Sequence, residues 1–168
     1  RELASQINEN IQDYGSELNI KSTVIFGGVG KTPQINKMKK GVDILVATPG
    51  RLLDLMSENY IKYSQLEIFV LDEADRMLDM GFLKDVRRVI DKLPKKKQTL
   101  LFSATMAPDI AKLTTTLLHN PKKVEVTPES TTVEKIDQKL MMIARVDKPS
   151  LLLSILEKEE VTLSLIHI

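Results

Sequence analysis

The sequence predicts an α/β domain, a parallel sheet with helices on both faces, and three observations predict it. Several short runs are apolar throughout rather than alternating, as strands buried on both faces are. Stretches with apolar residues at helical spacing separate them. Each run also ends in small or polar residues, and open parallel sheets bind ligands just outside the carboxyl ends of their strands.

In order along the chain, Leu3, Ile7 and Ile11 place an amphipathic helix at the start. A chain that opens on Arg1 inside such a helix reads as cut from something longer. Residues 24–26 read as a strand closed by Gly27 and Gly28, and residues 42–47 as a strand closed by Thr48 and Pro49. A helix over 49–57 follows, with Leu52, Leu53 and Met56 on its apolar face. A strand over 66–71 delivers Asp72, Glu73, Ala74 and Asp75, and a helix over 82–93 carries Val86, Val89 and Ile90. A strand over 99–102 ends in Ser103, a helix over 108–118 carries Ile110, Leu113 and Leu117, and a strand over 122–126 ends in Thr127 and Pro128. Residues 128–138 lose both periodicities and read as a linker. A strand over 140–144 and a helix begun by Asp147 and Pro149 then open a second lobe.

Of the 168 residues, 42% are apolar and 28% charged, the balance of an ordinary globular domain. The formal net charge is +1, so any anion site has to be local. The chain has no cysteine, which excludes disulfides, thiolate zinc sites and thiol catalysis and makes the cytoplasm the expected compartment. No apolar run reaches the eighteen or more residues of a spanning helix. His119 and His167 lack ligand-spaced partners, Met77, Met80, Met141 and Met142 read as apolar filling, and the short lysine runs at 37–40 and 95–97 read as solvated faces.

Asp72, Glu73 and Asp75 put three carboxylates within one turn at the ligand end of a strand. One can hold magnesium through water while its neighbour orients or deprotonates a water attacking a γ-phosphate. The plainer alternative is an acidic first turn complementing the dipole of the next helix. Ser103 and Thr105 offer two hydroxyls to a carboxylate on the neighbouring loop, or simply cap the helix that starts near Pro108. Thr48, Pro49, Gly50 and Arg51 sit where a strand meets a helix; free N–H groups and a guanidinium there can hold a backbone phosphate, although any capped helix can present Thr-Pro. Gly27 and Gly28 allow a close backbone approach, as turns also do. The string GVGKT at 28–32 is not a phosphate loop, because Ile25 stands where GxxxxGK[ST] needs glycine and Pro33 disfavours helical geometry at Thr32.

The strings RELA, FGG, TPGR, DEAD and SAT, in that order from Arg1 onward, resemble the motif series of the DEAD-box RNA helicases, and FGGV and DMGF resemble the bacterial RhlE-type subgroup. The resemblance runs from Arg1 to about Thr162. It implies a RecA-like P-loop NTPase core lacking its Q motif and P-loop over residues 1–127, an interdomain linker, and the start of a second RecA-like domain over 139–162. By the same resemblance Asp72 holds Mg2+ through water, Glu73 activates the attacking water, and Asp75 bonds Ser103 and Thr105, linking the state of bound ATP to strand separation. Arg1, Gly27, Gly28 and Thr48 to Arg51 would touch the RNA backbone. RNA is the implied partner, with ribonucleoprotein or RNA-degradation assemblies beside it.

Without the P-loop and arginine fingers the chain alone is expected to be inactive, and the edge bearing Leu100, Leu101 and Phe102 to be exposed. Two alternatives to an RNA helicase are a helicase-like lobe that clamps RNA or protein without turnover, and a P-loop-type DNA translocase. Residues 163–168, LSLIHI, are what a transposon-end sequencing adapter encodes and read as a scar, the alternative being a genuine apolar strand.

Overall fold

A computed structural model of the chain describes residues 1–126 and 139–158. Helix α1 (Glu2–Tyr14) leads into strand β1 (Ser22–Ile25), then α2 (Lys31–Lys39), β2 (Ile44–Ala47), α3 (Pro49–Ser57), β3 (Ile68–Leu71), α4 (Ala74–Asp79), α5 (Leu83–Ile90), β4 (Gln98–Leu101) and α6 (Pro108–Leu117). Residues 1–122 form one compact unit. The rest, taken by itself, contains a 3-10 turn (Arg145–Asp147) and α7 (Lys148–Lys158) among its described residues. No helix among the described residues is long and apolar enough to cross a membrane.

The alternation of parallel strands with helices is the predicted α/β class, but the strands form two pairs. β1 pairs with β2 so that Ile25 lies beside Ala47, and β3 pairs with β4 so that Leu71 lies beside Leu101. No described strand bonds β2 to β3, and Ile68 and Val70 on β3 remain 55% and 50% exposed. On β4, Leu100 and Leu101 are half-buried, and Phe102 just past its end is exposed.

Two apolar clusters hold this unit together. Leu71, Ala74, Val86, Ile110, Leu113 and Leu117 join β3 and α4 to α5 and α6. Ile25, Leu55, Met56, Ile61 and Val89 join β1 to α3 and α5. The three-residue step from Val86 to Val89 puts one apolar face of α5 against both clusters, and Phe69 packs on both as well. Proline starts α3 at Pro49 and α6 at Pro108, where its missing N–H costs nothing. Gly81, at φ 76°, ends α4: its N–H donates to the Leu78 carbonyl and that of Phe82 to Met77, so the chain turns directly into α5.

Three expectations change. Residues 122–126 and 140–144 form no strand; Val124, Val126, Leu140 and Met142 are highly exposed, and an extended segment without a neighbour has no ladder to join. The first strand covers Ser22 to Ile25 instead of 24–26, since Thr23, β-branched and buried, takes an inward position. A helix does form across Thr32 and Pro33: α2 starts at Lys31, so Pro33 falls in the first turn, where no intrahelical N–H is required. The helix expected after the acidic turn is the short α4. The expected linker at 128–138 and the LSLIHI segment lie outside the described residues.

Candidate nucleotide and nucleic-acid site

The acidic loop is built by the pairing of β3 with β4. The N–H of Phe102 donates to the Leu71 carbonyl at 2.8 Å, and the N–H of Ala74 donates back to the Phe102 carbonyl at 3.1 Å. Ala74 is buried against the first cluster. Between these anchors the Glu73 N–H donates to Asp72 Oδ1 at 2.9 Å, and Glu73 itself is left-handed at φ 50° and ψ 47°. Only glycine adopts that region freely, so the loop holds Glu73 in place at some cost.

Asp75 closes the site. Its Oδ2 accepts both the Thr105 hydroxyl, at 2.9 Å, and the Thr105 N–H, at 2.8 Å. Its backbone N–H donates to Ser103 Oγ at 3.2 Å, and that hydroxyl donates to the Thr105 carbonyl at 2.7 Å. Its Oδ1 accepts the Arg76 N–H at 3.0 Å. The Thr105 hydroxyl is the chief reason that the Asp75 carboxyl lies below its ordinary value near 3.8. Ser103 therefore binds the backbone of the acidic loop and Thr105 binds its carboxylate.

Asp72 and Glu73 are half-buried. Asp72 Oδ2 and both Glu73 oxygens keep capacity to accept, apart from a 3.7 Å approach of Arg76 Nη1 to Glu73 Oε2. Magnesium takes one or two carboxylates, several waters and phosphate oxygens rather than an all-protein cage. A lone hard carboxylate oxygen at Asp72 fits that chemistry, and no group of three or more potential metal ligands occurs among the described residues.

A second group of predicted residues gathers at the ends of β1 and β2. The side chain of Arg1 folds onto the glycine turn: a Cβ on Gly28, at φ 80°, would fall within the Arg1 guanidinium. Gly27 and Gly50 face open space, with no atom within 4 Å of where a Cβ would stand. Thr48 precedes α3 in extended geometry without a side-chain cap bond, Pro49 is buried at the first position, and the N–H groups of Gly50 and Arg51 belong to the first turn, which has no intrahelical acceptors. The Arg51 side chain points inward. It is 11% exposed, donates from Nη2 to the Val29 carbonyl at 3.1 Å, and brings Nε to 3.6 Å from Asp54 Oδ2.

Sequence reasoning missed the residues behind this turn. Gln34 is buried; its Oε1 accepts the Phe26 N–H at 3.1 Å and its Nε2 donates to the carbonyls of Phe26, at 3.2 Å, and Gly30, at 3.1 Å. The Lys31 ammonium bonds Asp54 at 3.1 Å and also Glu58. Arg51, Asp54 and Glu58 at helical three- and four-residue spacing were the available signal, but Lys31 joins them only through the fold.

A family model described as DEAD/DEAH box helicase matches residues 1–113. The chain is 40% identical over 162 residues to the DEAD-box ATP-dependent RNA helicase 14 of Arabidopsis thaliana, covering 95% of this chain and 26% of that protein. It is 37% identical over 163 residues to the ATP-dependent RNA helicase RhlB of Xanthomonas axonopodis pv. citri, covering 95% of this chain and 28% of that one. Among solved structures, a hypothetical ATP-dependent RNA helicase from Sulfolobus tokodaii superposes with a TM-score of 0.69 at 40% identity, over 73% of this chain and 37% of that one. A DEAD box protein from Methanococcus jannaschii gives 0.68 at 39% identity, over 71% and 32%. The chain thus spans only about a quarter of the length of these two relatives. With more than half of its residues under the family's description, and with the acidic loop clasped to the Ser-Ala-Thr loop, the chain belongs to the DEAD/DEAH box helicase family.

Proposed function

We propose that this chain is part of an ATP-dependent RNA helicase, supplying the water-activating carboxylates and one section of the RNA track. The observation that carries the reading is the Asp75 clasp on Ser103 and Thr105, which ties the acidic loop to the loop of the adjacent strand. Any shift of the acidic loop is thereby passed to its neighbour. Magnesium, when bound with ATP, offsets the charge that develops on the transferred phosphoryl group. Asp72 would hold it through water, and Glu73, fixed by its backbone, would orient the attacking water and take its proton.

Gly27, Gly28, Thr48, Pro49 and Gly50 line the RNA backbone track, with Arg1 beside the glycine turn and Arg51 offering its backbone N–H in the first turn of α3 rather than its inward side chain. The open space before Gly27 and Gly50 supports close approach of a phosphate without reading a base. The FGGV and DMGF strings favour a bacterial RhlE-type protein, working in the cytoplasm with ribonucleoprotein or RNA-degradation assemblies.

ATP hydrolysis by the intact protein tests this, with RNA, DNA or no nucleic acid present. RNA-stimulated turnover should fall by at least about 100-fold in Glu73→Gln, the size expected for loss of general-base assistance. Equal stimulation by DNA would point to a translocase, and RNA binding without turnover to a passive clamp. The 168-residue polypeptide alone contains no GxxxxGK[ST] string and should show no RNA-stimulated hydrolysis.

A further inference from the structure

The glycine turn and the start of α3 come from different elements, yet a single phosphate backbone has to meet both. Gln34 fixes the turn internally by bonding both backbone groups of Phe26 and the carbonyl of Gly30. The tie from the turn to α3 runs through Asp54. Its Oδ1 accepts from Lys31, the residue that follows Gly30, at 3.1 Å. Its Oδ2 lies 3.6 Å from Nε of Arg51, whose Nη2 holds the carbonyl of Val29 inside the turn.

We propose that Asp54 is a positioning residue for RNA: by engaging Lys31 and Arg51 at once, it sets the Gly27–Gly30 turn against the amino end of α3 so that both meet one backbone. This rests on the RNA-helicase reading above. Glu58 also bonds Lys31 but makes no contact with Arg51, so among the described residues Asp54 alone joins the two cations. Lys31 stays protonated, its ammonium held above its ordinary value first by Glu58 and then by Asp54. Arg51 keeps its inward pose although its Nη1 is buried with no hydrogen-bond partner among the described residues. An unpaired buried donor is costly, so the pose is held by its other contacts.

Charge alone predicts the opposite outcome, which makes the sign decisive. Removing a carboxylate near the track makes the local field more positive and should tighten RNA binding. Positioning predicts weaker binding. The experiment is fluorescence anisotropy of the intact protein with a labelled single-stranded RNA across a salt series, with thermal unfolding recorded for each variant.

Asp54→Asn should bind about tenfold more weakly and lower the slope of log affinity against log salt by roughly one, as when one phosphate contact is lost. Asp54→Glu should recover part of the affinity, and Glu58→Gln should stay within about twofold, since it leaves the Arg51 link intact. If Asp54→Asn does not fold, Asp54→Ala removes the same carboxylate, keeps the two expectations opposed in sign, and should show the same loss. RNA binding by Asp54→Asn, or by Asp54→Ala in its place, as tight as wild type or tighter overturns the inference alone. A wild-type protein that does not bind RNA overturns the helicase reading and this inference together.

Discussion

Replacing Glu73 by glycine should stabilise the fold relative to alanine, the reverse of the usual order. At φ 50° and ψ 47° Glu73 occupies a region that costs a residue with a Cβ about 1 to 2 kcal/mol. Alanine keeps that cost. Glycine removes it but loses roughly 0.5 to 1 kcal/mol through its freedom in the unfolded chain. Both variants lose the 3.7 Å approach to Arg76, a surface pair worth about 0 to 1 kcal/mol, which cancels in the comparison. Taking the middle of each range, glycine should exceed alanine by about 0.75 kcal/mol, or roughly 1.5 to 3 °C in Tm for a domain of this size. Thermal and urea unfolding of Glu73→Gly, Glu73→Ala and Glu73→Gln measure it, with ATP turnover of the intact protein alongside. All three should lose turnover, so stability and activity part company at one residue. A Glu73→Gly protein less stable than Glu73→Ala would refute the reasoning, because the ordinary helix propensities would then govern the position.

Gly28→Ala should cost about 1 to 2 kcal/mol, because it meets both the φ of 80° and the Arg1 guanidinium, whereas Gly50→Ala should leave stability within about 0.5 kcal/mol and weaken RNA binding; denaturant melts and RNA titrations separate the two. Thr105→Val removes the largest cause of the depressed Asp75 pKa and should raise it, as carbon-detected NMR titration of the carboxyl would show. A carboxyl with a lowered folded pKa contributes stability above its unfolded value and loses it as pH falls through the folded one. The valine variant should thus show a smaller acid-induced loss that is complete at a higher pH, and an unmoved acid limb would count against the clasp.

The parts of the molecule readable in its sequence are those set by local rules. Pro49 and Pro108 announce helix starts, and Val86, Val89 and Ile90 announce the face that α5 buries. The loops after β3 and β4 were legible as a site because a parallel sheet puts such loops side by side. What escaped depends on partners far away in sequence. Residues 122–126 have the composition of a strand but no neighbour among the described residues, so composition could not decide their state. Pro33 argued against helical geometry at Thr32, and the helix formed with the proline in its first turn. The basic side chain of Arg51, expected to face a phosphate, is held inward by Asp54 and the Val29 carbonyl, which no spacing rule reveals.

The register of β3 on β4 is what converts these local features into a site. With Leu71 beside Leu101, the two chains leave the sheet together, and residues 72–75 and 102–105 advance in step. Ala74 can then donate to Phe102, and Asp75 can reach Ser103 and Thr105. A slip of one residue would turn the side chains of one strand to the opposite face, removing Leu71 from the cluster around Ile110 and breaking the spacing between Asp75 and Thr105 together. Packing and chemistry are therefore fixed by the same choice. Apolar burial at Leu71, Val86, Ile110 and Leu113 selects the register, and the register holds a left-handed glutamate and a clasped aspartate at the rim of the sheet.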